Sequence, residues 1–318
     1  MIWFNDRVGE VYMRKRAVFT ALGLVGALLA GAPAMAAGVF IVSHKGVEPF
    51  DSAKAGFIQM AYGAQLPGFN AKSVDLDGSA ADDAALSALA AQNPSLVFTV
   101  GSQAAKRVRK AMPEVWIVYG MVYYPEVEGL TQDAKMAGIS SLGSTKALAG
   151  AVRIFTKSKA LTVLHAQAES AAVTAIQDRL RVEGFDAQER TVATAADLPA
   201  AFNAVKDQCK IVLLLPDGIT SNPDSMRFLI SQCVEAGILP VSLAEPLVAS
   251  GALLASFVSP EAVGGQAARI AAEILKTGQP PADKVSSPTE SGLALNKSTA
   301  QALKAQVPKN SRWEVTYE

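Results

Sequence analysis

From Val39 to Phe257 the chain alternates short, mostly apolar runs with longer stretches whose apolar positions recur every three or four residues. The short runs predict strands at Val39–Ser43, Lys72–Asp75, Leu96–Val100, Trp116–Met121 and Ala137–Ile139. A second series follows at Ala160–Leu164, Asp186–Arg190, Ile211–Leu215, Leu239–Leu243 and Ala252–Phe257. Between them the spacing predicts helices at Ala53–Gln65, Ala80–Gln92, Ser102–Met112, Thr145–Phe155, Ala168–Glu183, Leu198–Lys206 and Asp224–Ala236. Apolar strands alternating with helices belong to a parallel sheet covered on both faces.

Two such series in succession, without a sequence repeat, predict two similar Rossmann-like α/β lobes. The first break falls at Gly138–Gly143. After Phe257, Ser259-Pro260-Glu261 starts a helix, with Ser as cap and Pro in the first turn, that runs to about Lys276 and ends at Gly278-Gln279-Pro280-Pro281. A last strand at Gly292–Leu295 leads to Asn296, the cap of a terminal helix Lys297–Lys304. These late segments have to pack back across the hinge, so the chain crosses between lobes more than once. The expected division is residues 37–139 with about 258–285 in lobe one, and 140–257 with about 286–318 in lobe two.

The first 36 residues read differently. Arg14-Lys15-Arg16 precede an apolar run from Ala17 to Leu29, then Gly31, Pro33 and Ala34-Met35-Ala36. Positive, apolar, then A-x-A is the order of a secretory signal peptide, with cleavage expected after Ala36. The run is shorter than the roughly 20 residues of a spanning helix. No cysteine follows it to take a lipid, and Met13 is an alternative start. A periplasmic, soluble product is expected.

Cleavage leaves 282 residues with 25 basic and 27 acidic side chains, a net charge of −2. That is enough chain for two ordinary α/β domains, and it lacks the basic character of a nucleic-acid binder. The two cysteines, Cys209 before one strand and Cys233 late in the next helix, lie where a helix packed antiparallel to its strand brings them together. A disulfide there closes a loop of about 25 residues, worth roughly 3 kcal/mol; two buried free thiols are the alternative.

Phosphate-loop, dinucleotide, zinc-protease, nucleophile-elbow and C-x-x-C motifs are all absent from the sequence. No cofactor and no metal is expected, although Glu48 and Glu169 lie near the two histidines. Those histidines, His44 and His165, each follow the first strand of a lobe, and strand carboxyl ends form the binding crevice in open parallel sheets. Other strand ends offer Ser43, Ser102 as a helix cap, Tyr123 and Tyr124, Asp217 and Glu245. Alternation along the Trp116 strand predicts Tyr119 in the core, with Tyr123 and Tyr124 exposed. Lys106, Arg107, Arg109 and Lys110 read as a solvated helix face.

The C-terminal third carries a resemblance. Ala236-Gly237-Ile238-Leu239-Pro240-Val241, Gly251-Ala252-Leu253, Gly264-Gly265-Gln266-Ala267-Ala268 and Ile274-Leu275-Lys276-Thr277-Gly278 follow the order I-P-V, G-A-L, L-G-R-Q-A-A and I-L-K-G. Gly101-Ser102-Gln103-Ala104-Ala105 is similar to G-T-P-A-A at a strand end. In these the chain resembles the substrate-binding proteins of ABC transporters with the type I periplasmic-binding-protein fold, in particular the tryptophan/tyrosine-type group. The resemblance covers essentially the whole chain after Ala36. It implies two lobes joined by a multi-crossover hinge, closing over a small molecule and docking as a monomer on a membrane permease, without covalent chemistry.

The departures fall in the cleft. Tyr123-Tyr124-Pro125 stands where the family has T-D-P, and in Leu164–Ser170 only Glu169 matches the family loop Y-N-P-x-E-x-N-S. Asp217 is similar to a strand-end Asp of the family, with Gly218 in place of the usual neighbour. Fewer polar anchors and more tyrosines point to an amphipathic or aromatic ligand, with an amino acid as the alternative. A ligand sensor for a membrane signalling partner and an enzyme on the same fold are the other classes considered. The expected ligand contacts are Ser43, His44, Ser102, Tyr123 and Tyr124 from lobe one, with His165, Glu169, Asp217 and Glu245 from lobe two.

Overall fold

The computed structural model describes residues 38–318; the export segment read within residues 1–36 lies outside the described residues. Lobe one begins with β1 (Val39–His44), α1 (Glu48–Gly63), β2 (Phe69–Leu76), α2 (Ala81–Ala90), β3 (Leu96–Val100), α3 (Ser102–Ala111), β4 (Trp116–Val122) and β5 (Met136–Ser140). Lobe two follows with α4 (Thr145–Phe155), β6 (Ala160–Ala166), α5 (Ser170–Val182), β7 (Asp186–Val192), α6 (Leu198–Val205) and β8 (Ile211–Leu214). It continues through α7 (Pro223–Ala236), β9 (Leu239–Ser242), α8 (Glu245–Ala249) and β10 (Leu254–Phe257). The chain ends with α9 (Pro260–Thr277), β11 (Val285–Ser286), β12 (Gly292–Asn296), α10 (Lys297–Ala302) and β13 (Val315–Tyr317).

The first sheet has the order β11-β5-β4-β3-β1-β2, all parallel, and the second β13-β12-β10-β9-β8-β6-β7. In the second only β10 and β12 run antiparallel. The β4–β5 connection runs through turns alone, but the other parallel crossovers carry helices, so the central strands are buried on both faces; β3 and β8 are buried at every residue. The two mostly parallel α/β sheets are the architecture expected. Within the described residues the chain passes between sheets three times, from β5 to α4, from β10 to α9 and from β11 to β12.

Local chemistry accounts for the late elements. Ser259 Oγ accepts from the N–H of Ala262 to cap α9, and Gly278 ends it in the left-handed conformation at φ 70°. Asn296 caps α10 through the N–H of Thr299. Three elements escape the sequence pattern: α8, β11 and β13, each five residues or fewer.

Lobe one is completed by α9, which packs against α1 through a stripe of small residues. A Cβ on Gly56 would lie 2.0 Å from the carbonyl oxygen of Glu261, and one on Gly264 would lie 1.9 Å from that of Ala53. The helices approach backbone to backbone, and only glycine fits. Around this contact Phe57 stacks on Phe98 of β3 with ring centroids 4.4 Å apart. Gly264→Ala is therefore expected to destabilise the protein by about 2–4 kcal/mol in urea unfolding, despite alanine's better helix propensity. Gly150→Ala, on an exposed position of α4 with open space around it, is expected to stabilise by roughly 0.5–1 kcal/mol.

Candidate functional site

At the carboxyl end of β1, Ser43 is fully buried and donates through Oγ to Asp75 Oδ1 at 3.0 Å, on a carboxylate that Lys54 also holds at 3.0 Å. Its hydroxyl is spent on lobe one. His44 is half-buried, and its Nε2 is sealed from solvent with no hydrogen-bond partner among the described residues. At the end of β3, Gly101 takes φ 91° and itself forms the N-cap of α3; Ser102 is the first helical residue and makes no side-chain cap, contrary to expectation. The Phe50 ring lies 3.0 Å from where a Cβ of Gly101 would stand. The sequence reading missed this aromatic wall.

The largest correction concerns the tyrosines. The β4–β5 pairing slips between Tyr119 and Val122, and Met121 takes a left-handed φ of 57° at that bulge. The strand end is re-aimed. Tyr119 stays in the core as expected, but Tyr124 is 8% exposed and joins the apolar core of lobe two, with Tyr123 packed beside it. Their ring centroids are 6.4 Å apart at 53°. Burial, together with the charges of Asp217 and Glu169, pushes the Tyr124 phenol far above its ordinary pKa; burial and Glu245 raise that of Tyr123. The Tyr124 hydroxyl has no hydrogen-bond partner among the described residues.

In lobe two, β6 extends to Ala166, two residues beyond the predicted end, so His165 lies inside the sheet. It is fully buried on the face shared by Leu161 and Val163, its Nδ1 2.8 Å from the carbonyl oxygen of Ala166 and its Nε2 3.8 Å from Glu189 Oε2. Asp217 is a structural hub. Its Oδ1 accepts from the N–H of Ile219 and Thr220, and its Oδ2 from the N–H of Ala166 and the Thr220 hydroxyl, all between 2.6 and 3.1 Å. The 215–222 loop is thereby tied to the end of β6.

Two carboxylates remain uncommitted. Glu169 closes a 3-10 turn before α5, and its Oε2 is sealed from solvent without a hydrogen-bond partner among the described residues. Burial, then the charge of Asp217, pushes its pKa up. Glu245 opens α8, and burial raises its pKa as well. Thus the structure brings Tyr123, Tyr124, Glu169, Asp217 and Glu245 together, and sets Ser43 and His165 within their own lobes.

Other expectations are corrected. Cys209 and Cys233 are free thiols, both buried in one apolar cluster with Phe202, Leu229 and Ile238; each fills the strand–helix contact as a small apolar side chain. The basic group of α3 is solvated only in part: Lys106 and Lys110 are exposed as expected, but Arg107 and Arg109 are partly buried. Arg107 pairs with Asp82 and Asp83, Lys106 with Glu128, and Arg109 collects the carbonyl oxygens of Met112, Pro113, Val115 and Lys135 along with Asp133. Among the described residues no group of three or more His, Cys, Asp or Glu side chains is arranged to hold a metal ion; Glu48 instead accepts from the Ser52 hydroxyl at 3.3 Å. No described helix is long and apolar enough to cross a membrane.

Two measurements separate the roles of the acids. Asp217→Ala strips partners from several loop N–H groups and is expected to cost about 2–4 kcal/mol in urea unfolding. Glu169→Gln has the opposite sign. A carboxyl with a raised folded-state pKa holds its proton more tightly folded than unfolded, so the ligand-free protein loses stability as pH rises from the ordinary carboxylate range through that raised value. Removing the charge is expected to raise the melting temperature at pH 7 and to flatten this part of its pH dependence.

The sequence matches the family of ABC transporter substrate-binding proteins over residues 41–312. Comparison with curated proteins finds no match. Among solved structures the chain is similar to a ligand-free, open substrate-binding protein with adhesive properties from Clostridium difficile, with TM-score 0.70 and 17% identity. It is also similar to an ABC domain from Streptococcus pneumonia in complex with L-Trp, with TM-score 0.59 and 13% identity, and to a conserved domain protein from Vibrio cholerae, with TM-score 0.58 and 18% identity. Each likeness covers 88% of this chain and 99% of the other. The fold is that of the type I periplasmic-binding proteins, and the chain belongs to the family of ABC transporter substrate-binding proteins.

Proposed function

We propose that this protein is the periplasmic solute-binding component of an ABC importer, exported by its N-terminal segment and acting as a monomer. Its two lobes, divided at the three crossings, close over a small organic ligand and present the closed form to a membrane permease. The observation that carries this reading is the meeting of Tyr123 and Tyr124, from the end of β4, with Glu169 and Glu245 at strand ends of the other lobe. Polar atoms buried without partners are costly, and here Tyr124 Oη and Glu169 Oε2 are both in that state among the described residues. A ligand with an apolar body and a polar end relieves that cost, and L-Trp in the pneumococcal neighbour shows an aromatic body held on the same fold.

His44 and Phe50 extend the proposed wall on lobe one. Asp217 positions the wall of lobe two through its loop. No residue pair in this arrangement supplies a nucleophile with an adjacent base, which favours binding over turnover.

The test is mass spectrometry of the protein purified without refolding, recorded intact and then denatured to release what it carries. A released amphipathic or aromatic compound is the expected result. Tyr124→Ala is expected to weaken binding of that compound by at least about tenfold, since truncating a buried aromatic anchor removes both apolar contact and the polar tip. Unchanged affinity in Tyr124→Ala would remove the tyrosine pair from the site.

A further inference from the structure

We propose that the solute is an organic cation, a compound with an apolar or aromatic body and a positively charged nitrogen but no carboxylate. This rests on the solute-binding reading above and names the ligand's chemistry.

The argument is the charge of the strand ends. In lobe two, segments 166–170, 215–222, 243–246 and 257–259 contain Glu169, Asp217 and Glu245 and no lysine or arginine. In lobe one, segments 43–50, 100–103, 122–130 and 140–144 contain Glu48, Glu126 and Glu128 against a single cation, Lys45. Lys45 is engaged by Asp77 at 2.9 Å. The next basic residues along α3, Lys106 and Arg107, are committed to Glu128 and to Asp82 and Asp83. Of the acids in these segments Glu128 is paired with Lys106, whereas Glu169 and Glu245 have no counter-ion among the described residues.

The acids differ in what they can offer. Asp217 has both oxygens engaged by its own loop, so it contributes charge but little spare acceptor capacity. Glu169 keeps one buried oxygen unbonded among the described residues, and Glu245 has no cation paired with it among the described residues. Beside them stand two tyrosine rings, tilted by 53° with centroids 6.4 Å apart. Electron-rich ring faces and carboxylates both attract a cationic nitrogen, and the attraction grows where water is excluded. A solute carboxylate meets the reverse. In the segments named above it finds no uncommitted lysine or arginine, only helix amino ends against the field of the neighbouring acids.

The test uses five probes with one phenyl body: phenethylamine, phenyltrimethylammonium, phenylalanine, 3-phenylpropionate and phenethyl alcohol. Binding to the full protein is measured by calorimetry at pH 7.5 after exhaustive dialysis, and the charge class of any compound released on denaturation is read alongside. Binding confined to the two cations, or release of a cation lacking a carboxylate, is the expected result. Glu169→Gln is then expected to weaken cation binding by about tenfold or more, while the variant's melting temperature shows that it is folded. Preference for the zwitterion, the anion or the neutral probe, or release of such a compound, overturns the cation inference and leaves the solute-binding reading standing. A protein that carries nothing and binds no member of a library spanning all four charge classes overturns both.

Discussion

Lobe one depends on a backbone-to-backbone contact between its first helix and a helix from late in the chain. Gly56 and Gly264 let α1 and α9 approach until each would-be Cβ falls on a carbonyl of the partner. That approach seats Val263, Ala267 and Ile270 of α9 in the same apolar cluster as Ile41 of β1 and Phe98 of β3. Without α9 the first sheet has one face open, and β11, which follows it, has no route to the edge of β5. The crossings between lobes are thus a consequence of where one sheet finds its cover. The crossover after β11 is in turn fastened to α9: Gln266 donates to the carbonyl oxygen of Ser287 and accepts from the N–H of Thr289.

Charge is divided between structural and uncommitted sites. Around α3 and β5 most charged groups are paired, and Arg109 gathers the carbonyl oxygens of Met112, Pro113, Val115 and Lys135 where α3 ends and β4 and β5 begin. Asp82 accepts from the N–H of Asp77 and Gly78 and pairs with Arg107. Beside the tyrosine pair the rule changes. Glu169 and Glu245 are drawn partly out of water with no counter-ion of their own among the described residues, and their raised pKa values express that cost.

What could be read from the sequence was local. Ser259 and Asn296 announced their helices because a cap and its first turn are neighbours in the chain, and the apolar strands announced a doubly covered parallel sheet. What could not be read depended on partners distant in sequence. β11 and β13 are strands only because they pair with β5 and β12. His165 was expected in the cleft because its strand was ended two residues early; inside the sheet it turns toward Glu189. Tyr124 was assigned to solvent by an alternation that the bulge at Met121 interrupts. No residue type signals that bulge, since Met rarely adopts a left-handed backbone. For the candidate site, residue identities were legible and their grouping only partly so. Phe50 went unnoticed because its place is set by contact with Gly101.

Asp217 has a further consequence for the kinetics of capture. Because its carboxylate already fixes the 215–222 loop to β6, a solute bound as proposed above would meet backbone that is ordered before contact. The conformational entropy of that loop is surrendered during folding and is not charged again at each encounter.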